Sequence, residues 1–242
     1  MEKTYAHVPD AEFPYQYKYE HMAVTNDCVI FAFEDRKLKV LLIQRGGEPY
    51  QGMWAFPGGF LRCNETAEQG ALRELREETQ LTPSAPIVQF GVFSDLGRDP
   101  RERVITIAWY ALVKPFSVQG GDDAANAAWF PIDDLPPLAF DHAKILEAAM
   151  ERIRRDIHFQ PIGFDLLDEN FTLPDLHRLY EAILDKRIDR RNFQRKLLGT
   201  GILKETFGID RSRRPGRNGY LFRLDRDRYD EMKQKGGWKL EF

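Results

Sequence analysis

The segment from Gly59 to Leu81 gathers acidic side chains beside Arg73. It holds five glutamates together with Arg73: Glu65, Glu68, Glu74, Glu77 and Glu78. A helix turns about 100° per residue, so the last three glutamates share one face. Carboxylates stacked in this way repel one another unless a cation lies among them. Hard divalent ions such as Mg²⁺ take oxygen ligands and often bind substrate phosphates as well. The spacing therefore indicates metal-assisted chemistry on a phosphate compound.

The alternative is a solvated, charged helix face, which is what most runs of charged residues are. That alternative explains the charge but not the preceding Gly58-Gly59 turn or the embedded arginine. The segment resembles the signature of the Nudix pyrophosphohydrolase family, in which a glycine and a glutamate precede an Arg-Glu-apolar-x-Glu-Glu-x-Gly-apolar run. The matching residues are Gly59, Glu65, Arg73, Glu74, Leu75, Glu77, Glu78 and Leu81.

This resemblance implies hydrolysis of a phosphoanhydride with Mg²⁺ or Mn²⁺ as the cofactor. The implied metal-binding residues are Gly59, Glu74, Glu77 and Glu78, and the implied catalytic residues are Arg73, Glu74 and Glu78. Arg73 would orient the carboxylates with Glu65 as its partner. The signature does not fix a general base, for which Glu102, Asp122 and Asp123 are weak candidates. Gln80 stands where the family has glycine, at a helix end that usually needs a left-handed residue, so turnover stays uncertain.

Hydrophobic patterning predicts the elements that position these residues. Strands are predicted at 27–33, 38–43, 88–93 and 104–113, with a polar hairpin turn between the first two. Thr66 and Gln69 form a capping box, so the acidic helix should begin near Ala67. A second helix is predicted over about 141–155, and residues 1–20 read as an extended arm. Strands and helices in this order suit a sheet sandwiched between helices.

Composition limits the class of protein further. The 242 residues are 43% hydrophobic and 12% aromatic, as in a globular protein with a real core. No apolar run approaches the roughly 18 residues of a membrane span, and the first residues lack the apolar core of a signal peptide. Cys28 and Cys63 form neither a ligand-spaced pair nor a disulfide framework. We therefore expect a cytoplasmic protein without a membrane partner.

The formal net charge of −3 conceals an asymmetry along the chain. Residues 160–242 carry a net charge of +4 and the remainder −7, which suggests a second task that involves a polyanion. In the basic part, Thr172 and Asp189 are expected to cap two helices joined by a short link, which is helix-turn-helix geometry. A two-stranded ribbon follows, at 202–206 and 220–224, with a basic loop between its strands. Together these elements predict a winged helix.

The second helix of this unit is a candidate DNA-reading helix. Phe193 and Leu197 would face inward and leave a basic and amide-bearing face outward, as major-groove recognition requires. The predicted DNA-binding residues of the helix are Arg190, Arg191, Asn192, Gln194 and Arg195. Those of the wing are Arg211, Arg213, Arg214 and Arg217, which would meet phosphates or the minor groove. The alternative is a protein–protein module whose cations are merely solvated.

A Nudix domain followed by a winged helix resembles the Nudix-related transcriptional regulators. Beyond the acidic segment, the resemblance is carried by segments 24–27, 39–43, 54–59, 97–101, 140–142, 160–164 and 189–193. It implies an α+β fold, with a Nudix α/β/α sandwich around a mixed sheet in residues 1–157 and a winged helix-turn-helix domain in residues 158–242. It also implies a homodimer, often a repressor of NAD or sugar metabolism, that releases its operator when ADP-ribose or a related compound binds. An active, Mg²⁺-dependent ADP-ribose pyrophosphatase is the alternative.

The loop between the third and fourth predicted strands bears on the ligand. Planar guanidinium groups hold phosphate oxygens, so an arginine-rich loop beside a metal site suits a diphosphate. A solvated, charged surface loop is an alternative of equal weight. The predicted ligand-binding residues are Arg45, Glu65, Arg98, Asp99, Arg101 and Arg103. The aromatic residues Trp109, Tyr110 and Trp129 could stack a base, although core packing is the stronger interpretation. We interpret His142 as structural rather than catalytic.

Overall fold

The computed structural model describes residues 21–83, 86–116, 124–209 and 219–234. The predicted N-terminal arm and the four predicted wing arginines, Arg211, Arg213, Arg214 and Arg217, lie outside these residues, as do Asp122 and Asp123. Within the described part of the chain, the search for a helix long and apolar enough to cross a membrane found none.

A seven-stranded mixed sheet forms the first part of the molecule. Its strands are β1 (Ala23–Glu34), β2 (Lys37–Arg45), β3 (Trp54–Ala55), β4 (Gly58–Phe60), β5 (Val88–Phe93), β6 (Val104–Leu112) and β7 (Ala124–Pro131). The main path runs β3-β2-β1-β6-β5, while β4 pairs with β1 and β7 with β2. The pairing of β1 with β6 is parallel and the other pairings are antiparallel. Asp35 and Arg36, both left-handed, close the β1–β2 hairpin as predicted.

The sheet is buried on both faces because its central strands are apolar at successive positions. Alternate residues of β1 point to opposite faces, as in any strand. Cys28 and Ile30 pack in one cluster with α1 (Ala67–Thr79), whereas Val29 and Phe31 pack in another with α2 (His142–Asp156). The expected sandwich of helix, mixed sheet and helix is therefore confirmed.

The acidic helix α1 begins where its sequence predicts. The side chain of Thr66 accepts a hydrogen bond from the backbone N–H of Gln69, whose side chain accepts one from the backbone of Thr66. At the other end, Gln80 adopts the left-handed conformation with φ 59°. A non-glycine residue takes this conformation at a cost, so the substitution of the family glycine is accommodated with strain rather than by a different helix end.

The second part of the molecule is a winged helix. It contains β8 (Phe171–Thr172), α3 (Leu173–Leu184), α4 (Arg190–Gly199), β9 (Leu203–Ile209), β10 (Tyr220–Leu224) and α5 (Arg226–Gln234). Thr172 and Asp189 cap α3 and α4 through their side chains, as predicted. The expected two-stranded ribbon is instead a three-stranded sheet in the order β8-β10-β9, because Phe171 and Thr172 pair with β10 before the chain enters α3.

Helix α2 joins the two parts. Its core-facing residues belong to the same cluster of buried apolar side chains as Leu179 and Tyr180 of α3 and Phe193 of α4. In its last turn, Arg154 Nε donates a 3.0 Å hydrogen bond to the Ile183 carbonyl of α3. A short 3-10 helix (Ile162–Leu166) bridges the two parts after α2. The winged helix therefore packs directly on the Nudix sandwich.

Candidate ligand pocket and nucleic-acid interface

An open pocket of about 820 Å³ lies beside the acidic helix. Strands β1, β2 and β4, helix α1, the loop before β6 and the start of α2 all contribute to its wall. The charged side chains that line it are Asp27, Arg45, Glu48, Arg62, Glu74, Glu78, Arg98, Asp99 and Arg101, and the aromatic ones are Phe56, Phe60, Phe140 and His142. We call the part of its wall formed by α1 the acidic end, and the part formed by the end of β2 and the loop before β6 the basic end.

The acidic end is built by close approach of a glycine turn to two glutamates. The Gly58 N–H donates a 2.7 Å hydrogen bond to Glu78 Oε2. A Cβ atom added at Gly58 would lie 2.0 Å from the backbone oxygen of Asn26, so only glycine fits there, and one added at Gly59 would lie 2.6 Å from the Glu74 carboxylate. Burial, and then repulsion from Glu74 and Asp27, raises the pKa of Glu78 to about 8. Burial also raises the pKa of Glu74. Burial therefore disfavours the charged form of both carboxylates, although Glu74 is also paired with Arg73.

Arg73 connects the remaining glutamates of the signature. Its Nε and Nη2 donate 2.9 and 2.6 Å hydrogen bonds to the two oxygens of Glu65, so the expected contact between these residues is present. Its Nη1 donates to Glu74 at 2.6 Å and to Glu77 at 3.0 Å, and Nη2 also reaches the Phe60 carbonyl at 3.1 Å. The hydrogen bonds from Arg73 hold the pKa of Glu65 at about 2. This arrangement fixes Glu74 from the side opposite the pocket.

The carboxylate oxygens at the acidic end provide part of the coordination that a divalent ion needs. Glu74 and Glu78 line the pocket, whereas Glu77 does not. The carboxylate of Glu77 contacts Arg73 and lies 3.6 Å from Arg62. Within the residues that the structure describes, no three Asp, Glu, His or Cys side chains converge closely enough to hold a metal. Burial raises the free energy of the charged forms of Glu74 and Glu78, and a nearby cation would lower it. These two carboxylates therefore fit Mg²⁺ or Mn²⁺, which complete their coordination with water and substrate phosphates.

A buried charge network closes the floor of the pocket. Arg98 donates to both carboxylate oxygens of Asp141, at 3.0 and 2.7 Å, and to Asp27 at 3.4 Å. The Phe56 N–H donates to His142 Nδ1 at 2.9 Å, so the His142 proton lies on Nε2, which faces Asp27 at 3.4 Å. Burial alone would raise the pKa of Asp27, but His142, Thr106 and Arg98 hold it below its usual value. These contacts agree with a structural role for His142.

The basic end contains two arginines that face the same space. Arg101 is fixed by Asp99, whose carboxylate accepts from its Nε at 3.0 Å, its Nη2 at 2.8 Å and its backbone N–H at 3.0 Å. Burial, and then repulsion from Arg101, lowers the pKa of Arg45. An anion between the two guanidinium groups would relieve that repulsion.

The other predicted ligand-binding residues are placed differently. Arg98 lines the pocket but is engaged with Asp141, and Glu65 is engaged with Arg73. Arg103 does not line the pocket, because its Nη1 donates to the Asp95 carbonyl at 3.0 Å. Glu102, a weak candidate for the general base, is exposed and does not line the pocket either.

The strand aromatics belong to the core rather than to the pocket. Trp109 Nε1 donates to Asn26 Oδ1 at 2.8 Å, and the Tyr110 hydroxyl donates to Asp156 at 2.9 Å. Trp129 Nε1 donates to the Phe116 carbonyl at 2.9 Å. The pocket instead uses Phe60 and Phe140, which sequence reasoning did not select. Phe60 follows the glycine turn and Phe140 precedes the start of α2, and these positions in the sequence could have indicated that both rings lie near the pocket.

In the winged helix, α4 presents the predicted face. Phe193 and Leu197 are fully buried, while Arg190, Arg191 and Arg195 are exposed. Asn192 and Gln194 are partly exposed, and Arg195 Nη2 donates a 2.9 Å hydrogen bond to Asn192 Oδ1. The helix is thus anchored by two apolar residues and turns its cations and amides to solvent. This is the geometry that a major groove accepts.

The fold and the pocket together define a Nudix domain that carries a winged helix. Residues 23–149 match the NUDIX domain family, and residues 163–224 match the NrtR DNA-binding winged helix domain. A similar protein in Acinetobacter baylyi, described as an ADPR responsive transcriptional repressor NtrR, is 30% identical over 218 residues, which are 88% of this chain and 86% of that protein. The chain belongs to this family of Nudix-related transcriptional regulators.

Two further comparisons cover the chain to different extents. The crystal structure of Shewanella oneidensis NrtR complexed with a 27mer DNA superposes with a TM-score of 0.75 and 32% identity, over 90% of this chain and 99% of that one. An ADP-ribose pyrophosphatase of Methanocaldococcus jannaschii is 42% identical over 132 residues, which are 54% of this chain and 75% of that protein. The match to the Shewanella structure covers both domains, whereas the match to the Methanocaldococcus enzyme covers about the length of one domain.

Proposed function

We propose that the chain is an ADP-ribose-responsive transcriptional repressor that acts as a homodimer on a DNA operator in the cytoplasm. The proposal combines a pocket suited to a diphosphate with a basic helix suited to a DNA groove. The names of the Acinetobacter and Shewanella relatives support both halves. We place the domain boundary between residues 157 and 158, in the interval between the two family matches.

The proposed binding of ADP-ribose is supported by the distribution of charge in the pocket. Two guanidinium groups, those of Arg45 and Arg101, face the same space at one end, and Glu74 and Glu78 face it at the other. A diphosphate bound between these ends would be held by the arginines directly and by the glutamates through a divalent ion. ADP-ribose has such a central diphosphate, and it is the compound named for the Acinetobacter repressor and in the name of the Methanocaldococcus enzyme.

The DNA half rests on α4. Its exposed arginines provide phosphate contacts and bidentate donors to guanine, and Asn192 and Gln194 provide amides suited to adenine. A dimer with one such helix in each protomer would read half-sites one helical turn, or a multiple of a turn, apart. Because cation–phosphate contacts release counterions, operator affinity should fall steeply with added salt.

Helix α2 offers a physical route between the two halves. Its N-cap residue, Asp141, is held by Arg98 at the pocket floor, and its first residue, His142, faces Asp27. Its last turn is fixed to the sheet by the contact of Asp156 with Tyr110, and to α3 by the contact of Arg154 with Ile183. Ligand contacts that shift Arg98 or Asp141 would move a rigid helix that supports the winged helix. Coupling between distant sites requires an element that takes one position with ligand and another without it, and α2 would be that element.

A gel shift on the DNA upstream of the chain's own gene tests the proposal. We expect a retarded complex without ligand and free DNA after addition of ADP-ribose. The Arg191→Ala variant should bind this DNA on the order of tenfold more weakly, although it should bind ADP-ribose normally. Retardation that ADP-ribose leaves unchanged, in a preparation that calorimetry shows to bind the ligand, would contradict the proposed response.

Hydrolysis of the ligand is the second candidate function. It is favoured by one observation: Glu65, Arg73, Glu74 and Glu78 form one connected arrangement next to the Gly58-Gly59 turn. Glu74 and Glu78 would hold Mg²⁺ or Mn²⁺, with Arg73 fixing the orientation of Glu74. A bound ion would neutralise the diphosphate and lower the pKa of an attacking water. Slow hydrolysis would also remove the signal that releases the operator.

Release of AMP from ADP-ribose, in the presence of Mg²⁺ or Mn²⁺, tests this second candidate. Rapid release that Glu78→Gln abolishes would establish the enzyme, and Glu68→Gln is the control because Glu68 is exposed and lies outside the pocket. An absence of AMP over hours, with ADP-ribose bound, would leave the pocket a sensor alone.

A further inference from the structure

Aromatic rings and guanidinium groups alternate along the basic end of the pocket. The Arg101 guanidinium carbon lies 5.1 Å from the centre of the Phe60 ring and 5.9 Å from that of Phe140. The Arg45 guanidinium carbon lies 4.8 Å from the centre of the Phe140 ring. Each of these distances is in the range of a cation–π contact. The order Phe60, Arg101, Phe140, Arg45 thus forms one row, which we call the ring–guanidinium row.

Phe60 is the more exposed of the two rings in this row. It is 41% exposed although it is a large apolar side chain in the wall of a charged pocket. Phe140, by contrast, contacts Arg45, Arg101 and the edge of the Tyr50 ring, whose centre lies 4.8 Å away. An exposed apolar surface inside a ligand pocket is a typical recognition element, because the ligand covers it on binding.

The position of Phe60 is fixed from both sides. Its backbone pairs with Thr25 of β1, and its carbonyl accepts the 3.1 Å hydrogen bond from Arg73. Its ring contacts Arg101, which the bidentate contact with Asp99 holds in place. A ring held in this way loses little conformational freedom when a ligand stacks on it. Phe60 also follows Gly59 directly, so the ring lies next to the glycine that touches Glu74.

We propose that Phe60 is the base-stacking platform of the pocket, on which the planar base of a nucleoside diphosphate lies while Arg101 and Arg45 hold its diphosphate. The inference rests on the proposed function and adds a residue that distinguishes nucleotides from other diphosphates. Every base offers a flat face to an aromatic ring, so this contact favours nucleotides as a class rather than one base. The arginines alone would accept any diphosphate.

Calorimetric titration of the full-length chain with ADP-ribose and with ADP, both with Mg²⁺, tests the inference. ADP retains the base and the diphosphate but lacks the terminal ribose. We expect Phe60→Leu to weaken both ligands by a similar factor, on the order of tenfold. Phe60→Tyr should keep the affinity of the wild type within about threefold, since it keeps the ring. Phe60→Trp should report binding through quenching of its fluorescence.

Phe159 provides a matched control, because it is 49% exposed and does not line the pocket. Phe159→Leu should leave both affinities unchanged. If Phe60→Leu weakens ADP-ribose but not ADP, the ring contacts the terminal ribose and the inference is wrong. The inference is also wrong if wild type and Phe60→Leu bind both ligands equally. If the wild type binds neither ligand, the proposed function itself fails.

Discussion

The ligand pocket and the recognition helix α4 both contain many charged side chains, but the pocket buries several of them whereas the helix exposes its arginines. In the pocket, Glu78 is buried against the Gly58 amide, and Arg98 is buried against Asp141. On α4, Arg190, Arg191 and Arg195 are exposed, and Arg195 donates a hydrogen bond to the neighbouring Asn192. Buried charges in fixed positions suit a small ligand of defined shape. Exposed, long side chains suit a polymer whose phosphates repeat at regular intervals.

The difference also concerns how each region is held. The pocket depends on contacts between residues far apart in the sequence, such as Asp27 with Arg98 and His142. The recognition face depends mainly on helical periodicity, with Phe193 and Leu197 directed inward. Substitutions should therefore separate the two activities cleanly, unless they fall on α2, which contributes to the pocket and contacts α3.

The largest effect is expected from removal of the exposed arginines of α4. The double variant Arg191→Ala and Arg195→Ala should lose roughly a hundredfold or more in operator affinity, since each base contact contributes about 1–3 kcal/mol. Its affinity for ADP-ribose should not change. Fluorescence anisotropy with labelled operator measures the first quantity, and calorimetry the second. Arg36→Ala, on the exposed β1–β2 turn, is the control. Wild-type operator affinity in the double variant would rule out α4 as the reading helix.

A smaller effect, of about 10- to 100-fold, is expected in the pocket. Arg101→Ala removes one of the two guanidinium groups that face the same space, so ADP-ribose affinity should fall by that factor, as for loss of a charge-assisted contact. Operator affinity without ligand should remain that of the wild type. Arg103→Ala, in the same loop, should change neither quantity because Arg103 donates to the Asp95 carbonyl and does not line the pocket. Equal losses in the two variants, measured by calorimetry, would favour a diffuse basic loop instead.

Coupling between the regions should respond to Arg154. Arg154→Ala removes the hydrogen bond to the Ile183 carbonyl at the junction of α2 with α3. We expect the factor by which ADP-ribose weakens operator binding to shrink about fivefold, or about 1 kcal/mol, with each single affinity little changed. Anisotropy titrations with and without ADP-ribose give this factor. Glu151→Ala is the control, since Glu151 is an exposed residue of the same helix. An unchanged factor in Arg154→Ala would exclude this contact as part of the route.

The smallest effect is expected at the end of α1. Gln80 has φ 59°, a region in which glycine is unstrained, so Gln80→Gly should raise the free energy of unfolding by about 0.5–1 kcal/mol. Chemical denaturation measures this change. ADP-ribose affinity should remain the same, because Gln80 does not line the pocket. Unchanged or lower stability would show that the left-handed conformation of Gln80 carries no strain.

Local signals in the sequence predicted local structure well. The strand expected at 88–93 is β5, and the three predicted caps at Thr66, Thr172 and Asp189 all accept the expected hydrogen bonds. Strand β7 was missed because its alanine-rich residues lack the β-branched pattern of a strand, although it pairs with β2 over most of its length. Strand β8 was missed because it is only two residues long and ends at the helix cap Thr172, and only pairing with β10 makes these residues a strand.

The lining of the pocket was predicted in part, since Arg45, Arg98, Asp99 and Arg101 line it together with Glu74 and Glu78. Helical periodicity brings these two glutamates together, but it also includes Glu77, which does not line the pocket. In the arginine-rich loop, sequence crowding could not indicate that Arg101 lines the pocket while Arg103 does not. Phe60 and Phe140 required the pairing of β4 with β1 and the position of α2. Such long-range contacts leave no periodic trace in one sequence.

One anisotropy titration tests the central claim most directly, namely that occupancy of the Nudix pocket controls operator binding by the winged helix. Labelled operator is first saturated with the full-length chain, and ADP-ribose is then added to wild type and to the double variant Arg45→Ala and Arg101→Ala. The account predicts release from the wild type at concentrations that fill the pocket, and persistent binding by the variant. Release from both proteins at the same ligand concentration, or from neither, would contradict it.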